Sequence, residues 1–164
     1  MNASDSMMDS YAMQISEKKS SRALVAGFWI STALFALQMG FTAYAQLRIP
    51  DVAAAFAHLG FPGYFRIELA CAKLAGLAAL LVPMVPARLN LLYVLKEWAY
   101  AGFAITLVSA LIAHLAVGDP PAAWSWSVGT GVLWSVSYFF FRRLQTRLPE
   151  ERIAEEKPAS TIWR

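Results

Sequence analysis

Five polar side chains interrupt otherwise apolar stretches of this chain, and they are its first candidates for chemistry. They are Gln38, Glu68, Lys73, Glu97 and His114. A carboxylate beside an imidazole can pass a proton or hold a polar head group. A charged group at the centre of a bilayer costs about 2.5–3.5 kcal/mol, so each charged residue of this set requires a partner or water.

Three of these residues are predicted to lie at one depth. With a rise of about 1.5 Å per residue, Gln38, Glu68 and His114 lie roughly 25 Å from the cytosolic ends of their helices. We therefore predict a ligand-binding group of these three residues, with Lys73 deeper and near Ser109 on another helix. In the alternative interpretation Glu68 and His114 bond each other at the wet outer rim, and Lys73 forms a structural pair or extends its amine outward.

Glu97 is predicted to have a structural role and not a ligand-binding one. It opens an apolar stretch at the same level as Arg142 and Arg143, which follow the last apolar stretch. An interhelical ion pair between Glu97 and these arginines is therefore expected.

Cysteine and histidine usage excludes several kinds of site. Cys71 is the only cysteine, so the chain forms no internal disulfide and no CxxC redox pair. Two histidines, His58 and His114, are too few for a histidine-rich metal site, and His58 is predicted to lie in a loop. We predict no metal.

The elements that carry these side chains are long apolar segments. Apolar residues make up 58% of the chain and charged ones 15%, against about 25% charged in soluble proteins. Four segments approach the roughly 20 residues that cross a bilayer, at 23–47, 67–85, 98–117 and 124–141. Because the connections are short, the sequence predicts an all-α fold, a transmembrane antiparallel four-helix bundle over residues 22–143.

Charge predicts the orientation. Eleven Lys and Arg residues lie on the side that holds both termini, whereas the other side has only Arg48 and Arg66. Both termini are therefore predicted to be cytosolic, with residues 1–21 a disordered tail and 144–164 a second tail. The pI near 9.2 reflects these flanking residues, which meet anionic lipid. No basic run interleaved with aromatic residues occurs, so nucleic acid is excluded as a partner.

Local signals predict the outer connections. Asp51 is the expected N-cap of a short surface helix that reaches about Leu59 and stops at Gly60. Gly118, followed by Asp119 and two prolines, predicts a tight outer turn.

Four segments together resemble the DoxX-like family of small four-helix membrane proteins. They are FAHLGFPGYF (56–65), AKLAGLAALLVP (72–83), LKEWAYAGFA (95–104) and AHLAVGDP (113–120). The resemblance implies a four-helix bundle in the bacterial cytoplasmic membrane. It implies no agreed catalytic motif, although some relatives look like accessory parts of membrane redox systems. The motif positions to test, without assigned roles, are Lys73, Lys96, Glu97, Trp98, His114, Gly118 and Asp119.

Two functions from different classes remain. In the first, the bundle holds an isoprenoid quinone or a similar lipid-soluble ligand, as a redox-accessory protein. In the second, the protein is a non-enzymatic scaffold or chaperone-like subunit that binds another membrane protein or a redox complex. Small residues at Ala72-x-x-x-Gly76 and Ala75-x-x-x-Ala79 would permit such close helix contact. A transporter is disfavoured, since four spans leave little room for alternating access.

Overall fold

The computed structural model describes residues 3–83 and 89–156, and nearly all of them are helical. The prediction of an all-α fold is confirmed, and within those ranges there is no strand. Five helices follow one another, α1 (Ala3–Arg48), α2 (Pro50–His58), α3 (Gly63–Leu81), α4 (Leu89–Ala116) and α5 (Pro121–Glu156). The chain divides into two compact units, residues 1–30 with 139–164 and residues 31–138.

The smaller unit joins the start of α1 to the end of α5 through aromatic packing. The rings of Phe28 and Phe141 lie 6.3 Å apart between centroids. Gly27 faces Phe140 so closely that an added Cβ would stand 2.7 Å from the ring. A larger residue at position 27 would therefore have to displace the Phe140 ring.

In the larger unit α1 and α5 run antiparallel. Thr32 of α1 hydrogen-bonds Ser137 of α5 at 2.8 Å, and Gln38 donates to Thr130. Tyr100 of α4 reaches the same Ser137 hydroxyl at 2.7 Å. Thr32, Tyr100 and Ser137 are all buried, so these hydroxyls connect three helices through a satisfied polar network.

Lys96 of α4 joins α4 to the end of α3. It is fully buried, and its amine donates to the carbonyl oxygens of Ala79, at 3.2 Å, and Leu80. Because α3 ends at Leu81, its last carbonyls lack partners within the helix, and the negative end of the helix dipole favours a cation there. Lys96 is thus a cap of α3, a role that the sequence did not predict.

The ends of the helices differ from prediction at two places. The first helix continues back to Ala3 through residues for which a disordered tail was predicted. Residues 3–21 contain neither Pro nor Gly and include several strong helix formers, which explains the extension. Similarly α5 runs on to Glu156, within the predicted tail 144–164.

The short outer helix forms, but its first residue is not capped as predicted. Ile49 is the N-cap of α2, without a side-chain hydrogen bond, and Pro50 is the first helical residue. The prediction that Asp51 caps the helix is wrong, because proline suits the first position and moves the start forward. The turn glycines are confirmed, with φ of +81° at Gly60 and +77° at Gly118.

Two helices are long and apolar enough to cross a membrane by length and composition, Tyr11–Arg48 and Asn90–Ala116. Within residues 3–83 and 89–156, the other two predicted spans do not meet that standard. The 19 residues of α3 include Arg66, Glu68 and Lys73. In the first half of α5, Ser, Gly and Trp residues stand between the aliphatic ones and lower the mean hydropathy.

Candidate functional site

A cavity of about 350 Å³ lies within the larger unit, among residues of α1, α2, α3 and α4. Its wall is mainly apolar and includes Leu59, Leu69, Ile105 and Ala110, and its polar lining includes Gln46, Lys73, Thr106, Ser109 and His114. A concave apolar space with a few convergent polar groups is the usual form of a small-molecule site.

Three phenylalanines form the aromatic part of the wall. Phe56 lies on α2, Phe61 in the following turn and Phe65 in the first turn of α3. The rings of Phe61 and Phe65 are stacked with centroids 5.0 Å apart, and Phe56 lies 6.0 Å from Phe61. The turn at Gly60 brings α2 back beside α3, so this wall offers flat faces suited to a planar ring.

The side-chain oxygen of Gln46 is a hydrogen-bond acceptor that no described residue donates to. The residue is 5% exposed, and its side-chain Oε1 is buried with no hydrogen-bond partner among the described residues. The Arg66 guanidinium donates to the Gln46 backbone carbonyl and thereby fixes this part of α1. A buried polar atom left unpaired costs about 1–3 kcal/mol, so a ligand that donates to Oε1 would recover that free energy.

Lys73 supplies a donor without an acceptor. It is 7% exposed, and no hydrogen bond or ion pair joins it to any other residue that the structure describes. Lys73 and Ser109, which the sequence analysis expected near each other, line the same cavity, and a pairing between them stays a prediction. A buried ammonium without a counter-charge is costly, so the amine favours a ligand with an anionic or carbonyl oxygen.

Asp119 binds both histidines of the chain. His114 Nδ1 lies 2.6 Å from Asp119 Oδ2, and His58 Nε2 lies 2.9 Å from Asp119 Oδ1. The hydrogen bond from His114 lowers the pKa of Asp119 most, and the hydrogen bond from His58 lowers it further, so this pKa lies below its ordinary value. The carboxylate is 15% exposed, whereas the His58 ring is 60% exposed. His58 ends α2 instead of lying in a loop, and the cluster joins α2 to the turn after α4.

The structure separates the four residues that were predicted to bind a ligand. Lys73 and His114 line the cavity together. Gln38 instead donates to Thr130 and lines a groove on another side of α1, and Glu68 is exposed. Five residues place Lys73 about 140° around the helix from Glu68, which explains why only one of them turns inward.

The other predicted site residues lie elsewhere. Glu97 accepts a hydrogen bond from the Tyr138 hydroxyl at 3.2 Å. In the smaller unit Arg142 donates to Gln145, and the Arg143 guanidinium lies 5.1 Å from the ring centre of Phe139. The predicted ion pair of Glu97 with these arginines stays a prediction. Across residues 3–83 and 89–156 no group of three or more His, Cys, Asp or Glu side chains is placed to hold a metal ion.

A comparison with protein families places these residues in context. The model of the DoxX-like family matches residues 30–137, more than half of the chain. The chain belongs to the DoxX-like family. The match contains every residue of the cavity and of the histidine–aspartate cluster. Neither the curated proteins nor the solved structures include a significant match.

Sequence reasoning missed Gln46 and gave Asp119 no role in this DoxX-like chain. Gln46 lies at the end of the first apolar segment beside Arg48, where a polar side chain is unremarkable. Asp119 belongs to the AHLAVGDP segment that carried the resemblance, so its position was noted there. Its two partners are 61 and 5 residues away, and only the fold brings the first of them close.

Proposed function

We propose that this protein crosses the membrane as a four-helix bundle and binds a quinone, or a similar lipid-soluble ring with oxygen substituents, in the cavity of Gln46, Lys73 and His114. The observation that carries the proposal is that two residues whose side chains each have an unpartnered polar group, Lys73 and Gln46, line one aromatic-walled cavity. The role is that of an accessory protein of a membrane redox system.

The membrane topology rests on charge and on two helices. Tyr11–Arg48 and Asn90–Ala116 are long and apolar enough to span, and the basic residues concentrate on the side of the two termini. In this proposal α3 and α5 complete the bundle, and the inward position of Lys73 lowers the cost of a cation in α3. Both termini are then cytosolic, and the cavity lies in the outer leaflet.

The polar groups of the cavity match a ring that carries two kinds of oxygen. The Lys73 amine donates to a carbonyl or phenolate oxygen, and Gln46 Oε1 accepts from a hydroxyl. The phenylalanine rings cover the apolar faces of the ligand. A volume of about 350 Å³ lies within the range of roughly 300–1,000 Å³ that small-molecule sites occupy.

Ligand retention tests the proposal. The protein is purified in mild detergent, and its organic extract is analysed by mass spectrometry for wild type, Lys73→Met and Glu68→Gln. We expect a stoichiometric ring compound in wild type and in Glu68→Gln, since Glu68 is exposed and lies on the same helix as a matched control. Lys73→Met should lose it. An empty extract from folded wild type, or equal retention in all three, would refute the proposal.

The second function, a subunit that binds another membrane protein, has one feature in its favour. Small residues of α3 and the Trp98 side of α4 line a shared groove, and Trp98 is 76% exposed. Ala75 is exposed in this groove, so Ala75→Leu should release a co-purifying partner without disturbing the fold. Gly76 is unsuitable for the same test, because a Cβ there would stand 2.9 Å from Phe103 inside the protein. Purification of wild type without any partner would count against this function.

A further inference from the structure

The carboxylate of Asp119 determines which nitrogen of His114 remains for a ligand. His114 lines the cavity, and its Nδ1 is 2.6 Å from Asp119 Oδ2. A carboxylate only accepts hydrogen bonds, so Nδ1 carries the proton and the neutral ring has its lone pair on Nε2. Among the described residues Nε2 has no hydrogen-bond partner.

The carboxylate is itself held from a second side. Asp119 Oδ1 is 2.9 Å from Nε2 of His58, the last residue of α2. Phe56 and Leu59, which flank His58, line the same cavity. His58 thus fixes the Asp119 carboxylate, and the carboxylate in turn orients His114. This arrangement connects the aromatic wall of the cavity, beside His58, to the polar side chain of His114.

We propose that Asp119 is a positioning residue that makes the cavity selective for a ring hydroxyl. The proposal rests on the proposed ligand site and adds that the site prefers the reduced quinol form of the ring, which carries hydroxyls, over the quinone, whose carbonyl oxygens cannot donate a hydrogen bond. With Nδ1 committed to Asp119, Nε2 is left to accept a hydrogen bond from a ligand hydroxyl. A ligand without a hydroxyl leaves this acceptor unsatisfied, and sites of this kind reject such ligands strongly.

A pair of probes that differ only in the hydroxyl tests this selectivity. Binding of 4-decylphenol and 4-decylanisole to the full chain in detergent micelles is measured by equilibrium dialysis, with correction for partition into empty micelles. The assay is run at pH 8, where an imidazole is ordinarily neutral. Wild type should bind the phenol about tenfold more tightly than the methyl ether, because its single hydroxyl satisfies one acceptor that the ether leaves unpaired.

The variants separate positioning from simple structural support. The Asp119→Asn amide no longer holds the proton on Nδ1, because it can donate to that nitrogen as well as accept from it, so the phenol preference should fall. Asp119→Glu should restore the preference, and Asp51→Asn, an exposed aspartate of α2, should leave it unchanged. If Asp119→Asn does not fold, His114→Phe removes the acceptor while keeping a ring, and the preference should fall in the same way.

The outcomes distinguish this proposal from the one it rests on. Equal binding of the two probes by wild type would overturn the selectivity and leave the cavity as a ligand site. Binding of neither probe would overturn both proposals. An unchanged preference in folded Asp119→Asn, or in His114→Phe, would show that Asp119 does not act through His114. A tenfold preference that is lost in Asp119→Asn and regained in Asp119→Glu would establish it.

Discussion

Replacing Lys73 by methionine should make the protein more stable and should abolish binding of the proposed ligand. Lys73 is buried at 7% exposure without a hydrogen bond or ion pair to any described residue, so the folded state bears the cost of an uncompensated cation. Methionine has nearly the same length and fills the same space with an apolar chain. Removing an uncompensated buried charge in favour of an apolar chain should therefore raise the free energy of unfolding by about 1–3 kcal/mol.

Reversible unfolding measures this gain. Ligand-free wild type and Lys73→Met are unfolded in mixed micelles with increasing sodium dodecyl sulfate, followed by tryptophan fluorescence and by helix content. Lys96→Met is the contrasting variant, because the Lys96 amine is equally buried but donates to the carbonyls of Ala79 and Leu80. Removing it should destabilise the protein by about 1–3 kcal/mol, since those carbonyls lose their donor. A Lys73→Met variant as destabilised as Lys96→Met would refute the view that Lys73 lacks a structural partner.

Three further substitutions test particular contacts. Gly76→Ala should lower the free energy of unfolding by about 1–3 kcal/mol, because its Cβ would stand 2.9 Å from Phe103. Gly102→Ala should raise the free energy of unfolding by up to about 1 kcal/mol, because its Cβ would meet open space and alanine has the higher helix propensity. Equal effects of the two substitutions in chemical unfolding would contradict the close packing of Gly76 against Phe103. Asp119→Asn should lower the thermal midpoint near neutral pH. Because the pKa of Asp119 lies below its ordinary value of 3.8, its contribution is complete above pH 3.8 and is lost as the pH falls through the lowered pKa. A midpoint difference from wild type that persists undiminished at pH 2 would contradict the histidine contacts as its source.

The sequence predicted the helices better than the directions of their side chains. Composition and spacing predicted an all-helical chain, its short second helix and its two glycine turns, because these depend on local propensity and on residues a few positions apart. The common depth of Gln38, Glu68 and His114 in a membrane stays a prediction. Helical rise did not show that Gln38 turns towards Thr130, since both faces of α1 are equally apolar around it. Nor does spacing reveal that His58 meets Asp119, a contact between residues 61 positions apart.

The polar residues of the apolar segments divide according to whether the protein itself satisfies them. Lys96 caps α3, Gln38 donates to Thr130, and Tyr100 belongs to a buried network of hydroxyls. These polar groups therefore have hydrogen-bond partners within the fold. Lys73 and Gln46 Oε1 do not, and the fold places both of them on one cavity beside His114. Unsatisfied buried groups are rare in folded proteins because each lowers stability. The residues of these two unpaired groups, one a donor and one an acceptor, line a single cavity, which supports the proposed ligand site. The stability gained in Lys73→Met measures the cost of keeping the amine at that site.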